Sequence, residues 1–173
     1  MVSHPIVATN NADTFLQNDV PDLWLYYCCG QDQKVSNRFH AMPGYRTRVL
    51  GAQLYKCKAA GFLQWGYNYW YSQYSLDEIE PYLINDGDYF TPAGDTFSVY
   101  PGRDEKPLLS LRHVLFAQAL LDERALRLAE QKFGRERVLA EIDRDYELKL
   151  DDYPKNEDYV LALRDRINRM VAE

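Results

Sequence analysis

Cysteine is scarce in this sequence: Cys28, Cys29 and Cys57 are the only three. An odd count fits no closed disulfide framework, and two neighbouring cysteines cannot make the CxxC spacing of a redox or zinc motif. Three buried thiols in a reducing compartment are the expectation. Histidine is equally rare. His4, His40 and His113 lie far apart, with none at the i, i+4 spacing of a helical metal site, so neither a metal nor another cofactor is expected. Long apolar runs are missing, and none approaches the roughly 18 residues of a membrane span. A basic excess is missing too: 20 Lys and Arg stand against 26 Asp and Glu. A net charge of -6 disfavours both nucleic-acid phosphates and anionic membrane surfaces as partners. The opening Met1-Val-Ser-His-Pro-Ile-Val has neither a basic stretch nor a long apolar one. No secretory leader is visible there, which sets a cytoplasmic expectation.

Aromatic residues are plentiful at 14%, with tyrosine leading at 14 residues. The 173 residues suit one domain with a sizeable core. They are too few for a complete eight-stranded α/β barrel, which typically takes about 250 and rarely fewer than about 200.

The apolar run Leu23-Trp-Leu-Tyr-Tyr-Cys-Cys29, closed by Gly30, suits a strand buried on both faces in a parallel sheet. Val49, Leu50, Leu54 and Cys57 predict a helix over 45–59 with one apolar face, and Gly61 is placed to end it. Phe62 to Tyr67 reads as a second strand, running on into an aromatic stretch that ends at Tyr74. A loop rich in Asp, Gly and Pro spans 75–96, with at most a short helix at 76–82. Phe97 to Tyr100 reads as a third strand, stopped by Pro101-Gly102. The longest helix is expected over 107–133, with Gly134 as its stop. Two more amphipathic helices, with charges of mixed sign, are expected over 134–142 and 157–171.

Strands alternating with helices imply parallel βα units. Three strands do not complete a sheet of ordinary size. The chain is therefore expected to be part of a larger barrel, with residues 1–142 forming the barrel portion and 143–173 a helical C-terminal extension.

Five segments, in this order, carry a resemblance: Leu25-Tyr-Tyr-Cys-Cys-Gly, Ser36-Asn-Arg-Phe, Gly61-Phe-Leu-Gln-Trp-Gly-Tyr-Asn-Tyr-Trp, Tyr100-Pro-Gly and Ser110-Leu-Arg. Together they resemble the C-terminal half of the family-123 glycoside hydrolase catalytic domain, over roughly residues 20 to 142. The resemblance implies the C-terminal βα units of a (β/α)8 TIM-type barrel, incomplete as given. It implies cleavage of terminal N-acetyl-hexosamine, typically N-acetylgalactosamine, by substrate assistance rather than by the two-carboxylate scheme. The acetamido oxygen of the sugar would attack C1, an Asp would orient the acetamide, and an adjacent Glu would serve as acid and base.

In the family that Asp-Glu pair lies upstream of the segments matched here. The chain has three such pairs: Asp77-Glu78 in a loop, Asp104-Glu105 after a turn, and Asp122-Glu123 within the longest helix. None directly follows an apolar strand. The chain alone is therefore expected to be inactive, with no catalytic residue assigned.

Sugar-binding candidates sit at strand ends, where a barrel places its site. They are Tyr27, Asn37, Arg38, Trp65, Tyr67, Asn68 and Trp70. Aromatic faces stack on the C–H side of a pyranose, and amides fix its hydroxyls. Alternation puts Gln64, Gly66 and Asn68 on a side taken to face the barrel mouth, and Leu63, Trp65 and Tyr67 on a side taken to face the helices. A carbohydrate ligand is the expected partner, with either self-association or a missing N-terminal barrel half completing the sheet. The competing reading is a non-catalytic carbohydrate-binding or interaction module.

Overall fold

Leu23, Leu25 and Tyr27 are buried while Trp24, Tyr26 and Cys28 between them are only half-buried, the period of two that a strand imposes. The computed structural model of the chain describes residues 4–172. Residues 1–3, part of the stretch read for a leader, lie outside the described residues. Three strands, β1 (Ile6–Ala8), β2 (Trp24–Tyr26) and β3 (Gly61–Leu63), form a parallel sheet in the order β1-β2-β3. Ile6 pairs with Trp24 and Trp24 with Gly61. Strand β1 is too short to show a periodicity of its own in the sequence.

One face of this sheet is covered. Val7, Leu25 and Tyr27 pack in one buried cluster with Leu50, Leu54 and Ala119. On the other face Ile6 is 48% and Leu63 43% exposed. The expected strand buried on both faces is thus corrected: Val7, Leu25 and Tyr27 share one covered parity, while on the other Trp24 and Tyr26 are half-buried and Ile6 and Leu63 meet solvent.

The helix expected over 45–59 is two helices, α2 (Gly44–Arg48) and α3 (Leu50–Lys56), interrupted at Val49. Gly61 does not end them. It begins β3, where a Cβ would fall on the Trp24 ring, so close approach and not helix termination requires glycine there. A short α1 (Asp13–Gln17) precedes β2, and residues 76–82 form no helix: Glu78 makes an isolated bridge to Tyr71 and a turn begins at Pro81.

The third strand does not join the parallel sheet. β4 (Val99–Pro101) pairs antiparallel with β5 (Pro107–Leu109), because the chain reverses after Pro101-Gly102 instead of crossing over through a helix. Residues 107–109, expected as the first turn of the longest helix, form the returning strand. Helix α4 starts at Leu111 and runs to Phe133. Its N-cap is Ser110, whose Oγ accepts from the His113 N–H at 3.2 Å. Ser110→Ala should therefore lower the unfolding free energy by about 1 kcal/mol, read from the urea midpoint, with Ser110→Asn close to wild type.

Helices α5 (Arg135–Ile142) and α6 (Glu157–Ala172) follow, with Gly134 at φ 78 between α4 and α5. They build a second core in which Val138, Ile142, Tyr153, Leu163 and Ile167 pack with Val49, Tyr55 and Leu126. Glu141, 2% exposed, faces Arg137, Arg144 and Arg166 within this layer. No described helix is long and apolar enough to cross a membrane.

Candidate functional site

Because β2 and β3 run parallel, their C-terminal ends open at the same edge of the sheet. The residues that follow, Tyr27 to Gly30 and Gln64 to Asn68, share that edge with the loop at 37–38 and the segment 94–98. At the centre stands a pair of charges removed from water: Arg38 is 1% and Asp95 0% exposed. Arg38 Nη2 donates to the carbonyls of Trp65 and Asp95 at 2.7 Å each. Arg38 Nη1 lies 3.5 Å from Asp95 Oδ1, and Trp65 Nε1 donates to Asp95 Oδ2 at 3.1 Å. One guanidinium and one carboxylate thus clamp three separate chain segments.

Neighbours fix the clamp. Asn37 Oδ1 accepts from the Arg38 backbone N–H at 2.8 Å, while Asn37 Nδ2 donates to the carbonyls of Cys28 and Gln31. The Arg38 guanidinium lies 5.4 Å from the centroid of the Tyr27 ring. Arg112 at the start of α4 donates to the carbonyls of Gly94 and Phe97, tying the helix to the segment that bears Asp95.

Burial dominates the electrostatics. It raises the Asp95 carboxyl above its ordinary range despite Arg38, which works in the opposite direction. Burial lowers Arg38 as well, so both partners shift toward neutrality, as a desolvated pair does. Burial pushes the Tyr27 phenol up to about 12, so its hydroxyl keeps its proton at neutral pH. Asp95 Oδ1, Arg38 Nε, Tyr27 Oη and Thr96 Oγ1 are buried without a hydrogen-bond partner among the described residues.

Of the residues singled out in the sequence, Tyr27, Asn37 and Arg38 are fully buried and belong to this inner layer. Trp65 and Trp70 are half-buried, and Tyr67 and Asn68 are exposed. Trp70 is anchored through Nε1 to the Val99 carbonyl at 3.0 Å. Trp65 joins Tyr69 and Phe90 in an aromatic cluster with centroids 5.6 and 6.4 Å away.

The alternation expected for this strand is reversed where it begins. Phe62 packs on the helix side against Tyr27 and Phe116, and Leu63 points the other way. The register pairing of Phe62 with Leu25 sets this parity. Regular alternation then ends at Gly66, whose φ of 67 turns the chain.

Asp95 was not anticipated. It lies in a loop rich in Asp, Gly and Pro, and a lone sequence does not bring it to Arg38. Its one local signal is its place two residues before the apolar run Phe97–Tyr100. The three free thiols also differ from expectation: Cys28 and Cys57 are half-buried and Cys29 is exposed, because β2 ends at Tyr26 and the pair falls in the turn beyond it.

The family described as "Glycoside hydrolase 123, catalytic domain" matches residues 1–129. The chain belongs to the glycoside hydrolase 123 family. No curated protein sequence matches it. The matched region of this glycoside hydrolase 123 chain holds every member of the Arg38–Asp95 centre and the aromatic residues beside it, and ends within α4. A mixed α/β fold with helices and small sheets is compatible with a glycoside hydrolase domain.

The Asp-Glu pairs of this family-123 chain stand away from the centre. Asp77, Glu78, Asp104 and Glu105 are exposed. Asp122 pairs with Arg48 and Arg164, and Glu123 with Arg127. Among the described residues no group of three or more His, Cys, Asp and Glu side chains is placed to hold a metal ion.

Proposed function

We propose that this chain supplies the C-terminal βα units of a family-123 glycoside hydrolase barrel, and that a carbohydrate lies across the ends of β2 and β3. The observation that carries the reading is the Arg38–Asp95 clamp, which fixes Trp65 at the strand end beside Asn68 and Trp70. Trp65 and Trp70 would stack on the sugar, with Asn68 and the exposed Tyr67 binding its hydroxyls. Tyr27, Asn37 and Arg38 act from beneath, holding those groups in place.

The substrate proposed is a terminal N-acetyl-hexosamine, N-acetylgalactosamine by family resemblance, cleaved with help from its own acetamide. The Asp-Glu pair for that step is assigned outside this chain, since all three pairs in it are exposed or engaged by arginines. The half-exposed sheet face around Ile6 and Leu63, with β1 and β3 as outer strands, supports a companion segment or second copy that completes the sheet. Residues 143–173 are assigned as an extension buttressing the helices. The unpaired thiols support a reducing compartment such as the cytoplasm. The same carboxylate pairs, exposed or held by arginines, favour a second reading, a non-catalytic sugar-binding module.

The test is a chromogenic N-acetyl-hexosaminide assay on the chain purified by size exclusion with light scattering, with tryptophan emission followed during sugar titration. A shift in emission without turnover is expected. Turnover by the isolated chain would overturn the assignment of the carboxylates. Unchanged emission across millimolar N-acetyl-hexosamines would overturn the placement of the sugar.

A further inference from the structure

Cys28 and Cys29 are consecutive, and both lie in the first turn after β2, outside any strand ladder. Cys29 is exposed and Cys28 half-exposed. The turn is closed by two contacts to one residue: Gln31 N–H donates to the Cys28 carbonyl at 3.1 Å, and Gln31 Oε1 accepts from the Cys28 N–H at 2.8 Å. A Cβ added at Gly30 would meet nothing within 4 Å, so the turn is open on the side of Gly30. Cys57, by contrast, packs at the opposite end of the sheet, against the helix-side cluster.

We infer that Cys28 and Cys29 form a two-electron thiol site that closes reversibly to a vicinal disulfide and thereby reshapes the turn beneath the Arg38–Asp95 centre. Consecutive Cα atoms are about 3.8 Å apart across a trans peptide, short of the roughly 4.4–6.8 Å usual in disulfides. The bond is therefore strained and easily reduced, which makes the pair a reversible couple and not a staple.

The oxidant is a low-molecular-weight disulfide. One cysteine thiolate attacks it, forming a mixed disulfide and releasing a first thiolate. The second cysteine then attacks the protein sulfur of that mixed disulfide and releases the second thiolate. The two cysteine protons end on the two released thiols, and two electrons pass to the oxidant.

The pair also reaches the centre described above. The Cys28 carbonyl holds Asn37 Nδ2 at 3.0 Å, and Asn37 holds the Arg38 backbone. Closing the ring must reorient the peptide group that carries this carbonyl. Burial, with Cys28 and Asp95 beside it, holds the Cys29 thiol above its usual range, which slows attack at neutral pH without removing the site.

The experiment uses the full reduced chain. Phenylarsine oxide, which joins two thiols to one arsenic with loss of one water, should add once per chain and abolish two of the three thiol titres. Cys57→Ser should keep that adduct, and Cys29→Ser should lose it. Oxidised glutathione should give a monomer lighter by two hydrogens, with peptide mapping placing the link between Cys28 and Cys29. Tryptophan emission should change on oxidation and return with dithiothreitol. A link to Cys57, a disulfide dimer, a stable glutathione adduct on Cys29, or no arsenical adduct in Cys57→Ser would each overturn the site. Oxidation that leaves the emission unchanged would overturn its coupling to the Arg38–Asp95 centre. None of these readouts depends on sugar binding or hydrolysis, so the inference stands or falls apart from the proposed function.

Discussion

Replacing Arg38 by Met is expected to lower the unfolding free energy by about 3–5 kcal/mol, the range for breaking one side of a buried ion pair. Met matches the aliphatic stem, so lost packing is small. What remains is an Asp95 carboxylate at 0% exposure without its cation, and two carbonyls, of Trp65 and Asp95, without their donor. A stability of about 5–15 kcal/mol is usual for a domain, so the loss should be plain in a urea titration. Pairing Arg38→Met with Asp95→Leu should recover part of it, since the orphan charge is then gone.

The sign of the pH dependence follows from the raised Asp95 carboxyl. A carboxyl raised in the folded state contributes stability below its unfolded value near 3.9 and loses it as pH rises through the folded value. Without Arg38 the folded value rises further. The deficit of Arg38→Met should therefore shrink as pH falls from about 8 toward about 4, where Asp95 takes up a proton. A deficit below about 1 kcal/mol, or one that is flat with pH, would show that the pair behaves as a surface contact.

Gly66→Ala is the second large effect, expected at about 3 kcal/mol or more. Two causes add. Residue 66 sits at φ 67, where an L side chain costs about 1–2 kcal/mol. Its Cβ would also fall on the backbone carbonyl oxygens of Asp95 and Thr96, which cannot rotate aside as a side chain could. Gly134→Ala separates the causes: its φ is 78 but nothing lies within 4 Å of the added carbon. It should cost only a conformational part, about 1–3 kcal/mol for a side chain at φ 78, ψ 156. Equal losses for the two variants in urea denaturation would show that the clash is relieved by movement of the 95–96 segment.

Much of the helical half of this fold could be read from periodicity. The apolar spacing of α4, α5 and α6 runs for two turns or more and Gly134 punctuates it, so periodicity alone locates them to within a few residues. The strands were harder, since each is three residues long and carries barely one period. Leu23–Cys29 looked like a doubly buried strand because Trp24 and Tyr26 count as apolar, although only the Leu25 face is covered. Phe97–Tyr100 has strand composition, but composition does not say whether the partner is a parallel neighbour or the returning arm of a hairpin. At the site, Arg38 and Trp65 were within reach because they stand at motif positions. Asp95 was not, since its role depends on a contact 57 residues away that no local pattern encodes.

The family match ends at residue 129, four residues short of the end of α4, yet the second core runs on through Ile167 and Met170. Val49, Tyr55 and Leu126 lie inside the matched region but take their cover from residues beyond it. The border of the family match and the border of the packed core thus differ in this polypeptide. A piece trimmed to residues 1–129 would keep every motif that carries the resemblance and yet uncover Val49, Tyr55 and Leu126, so the helices beyond it serve as the inner wall of the matched segment.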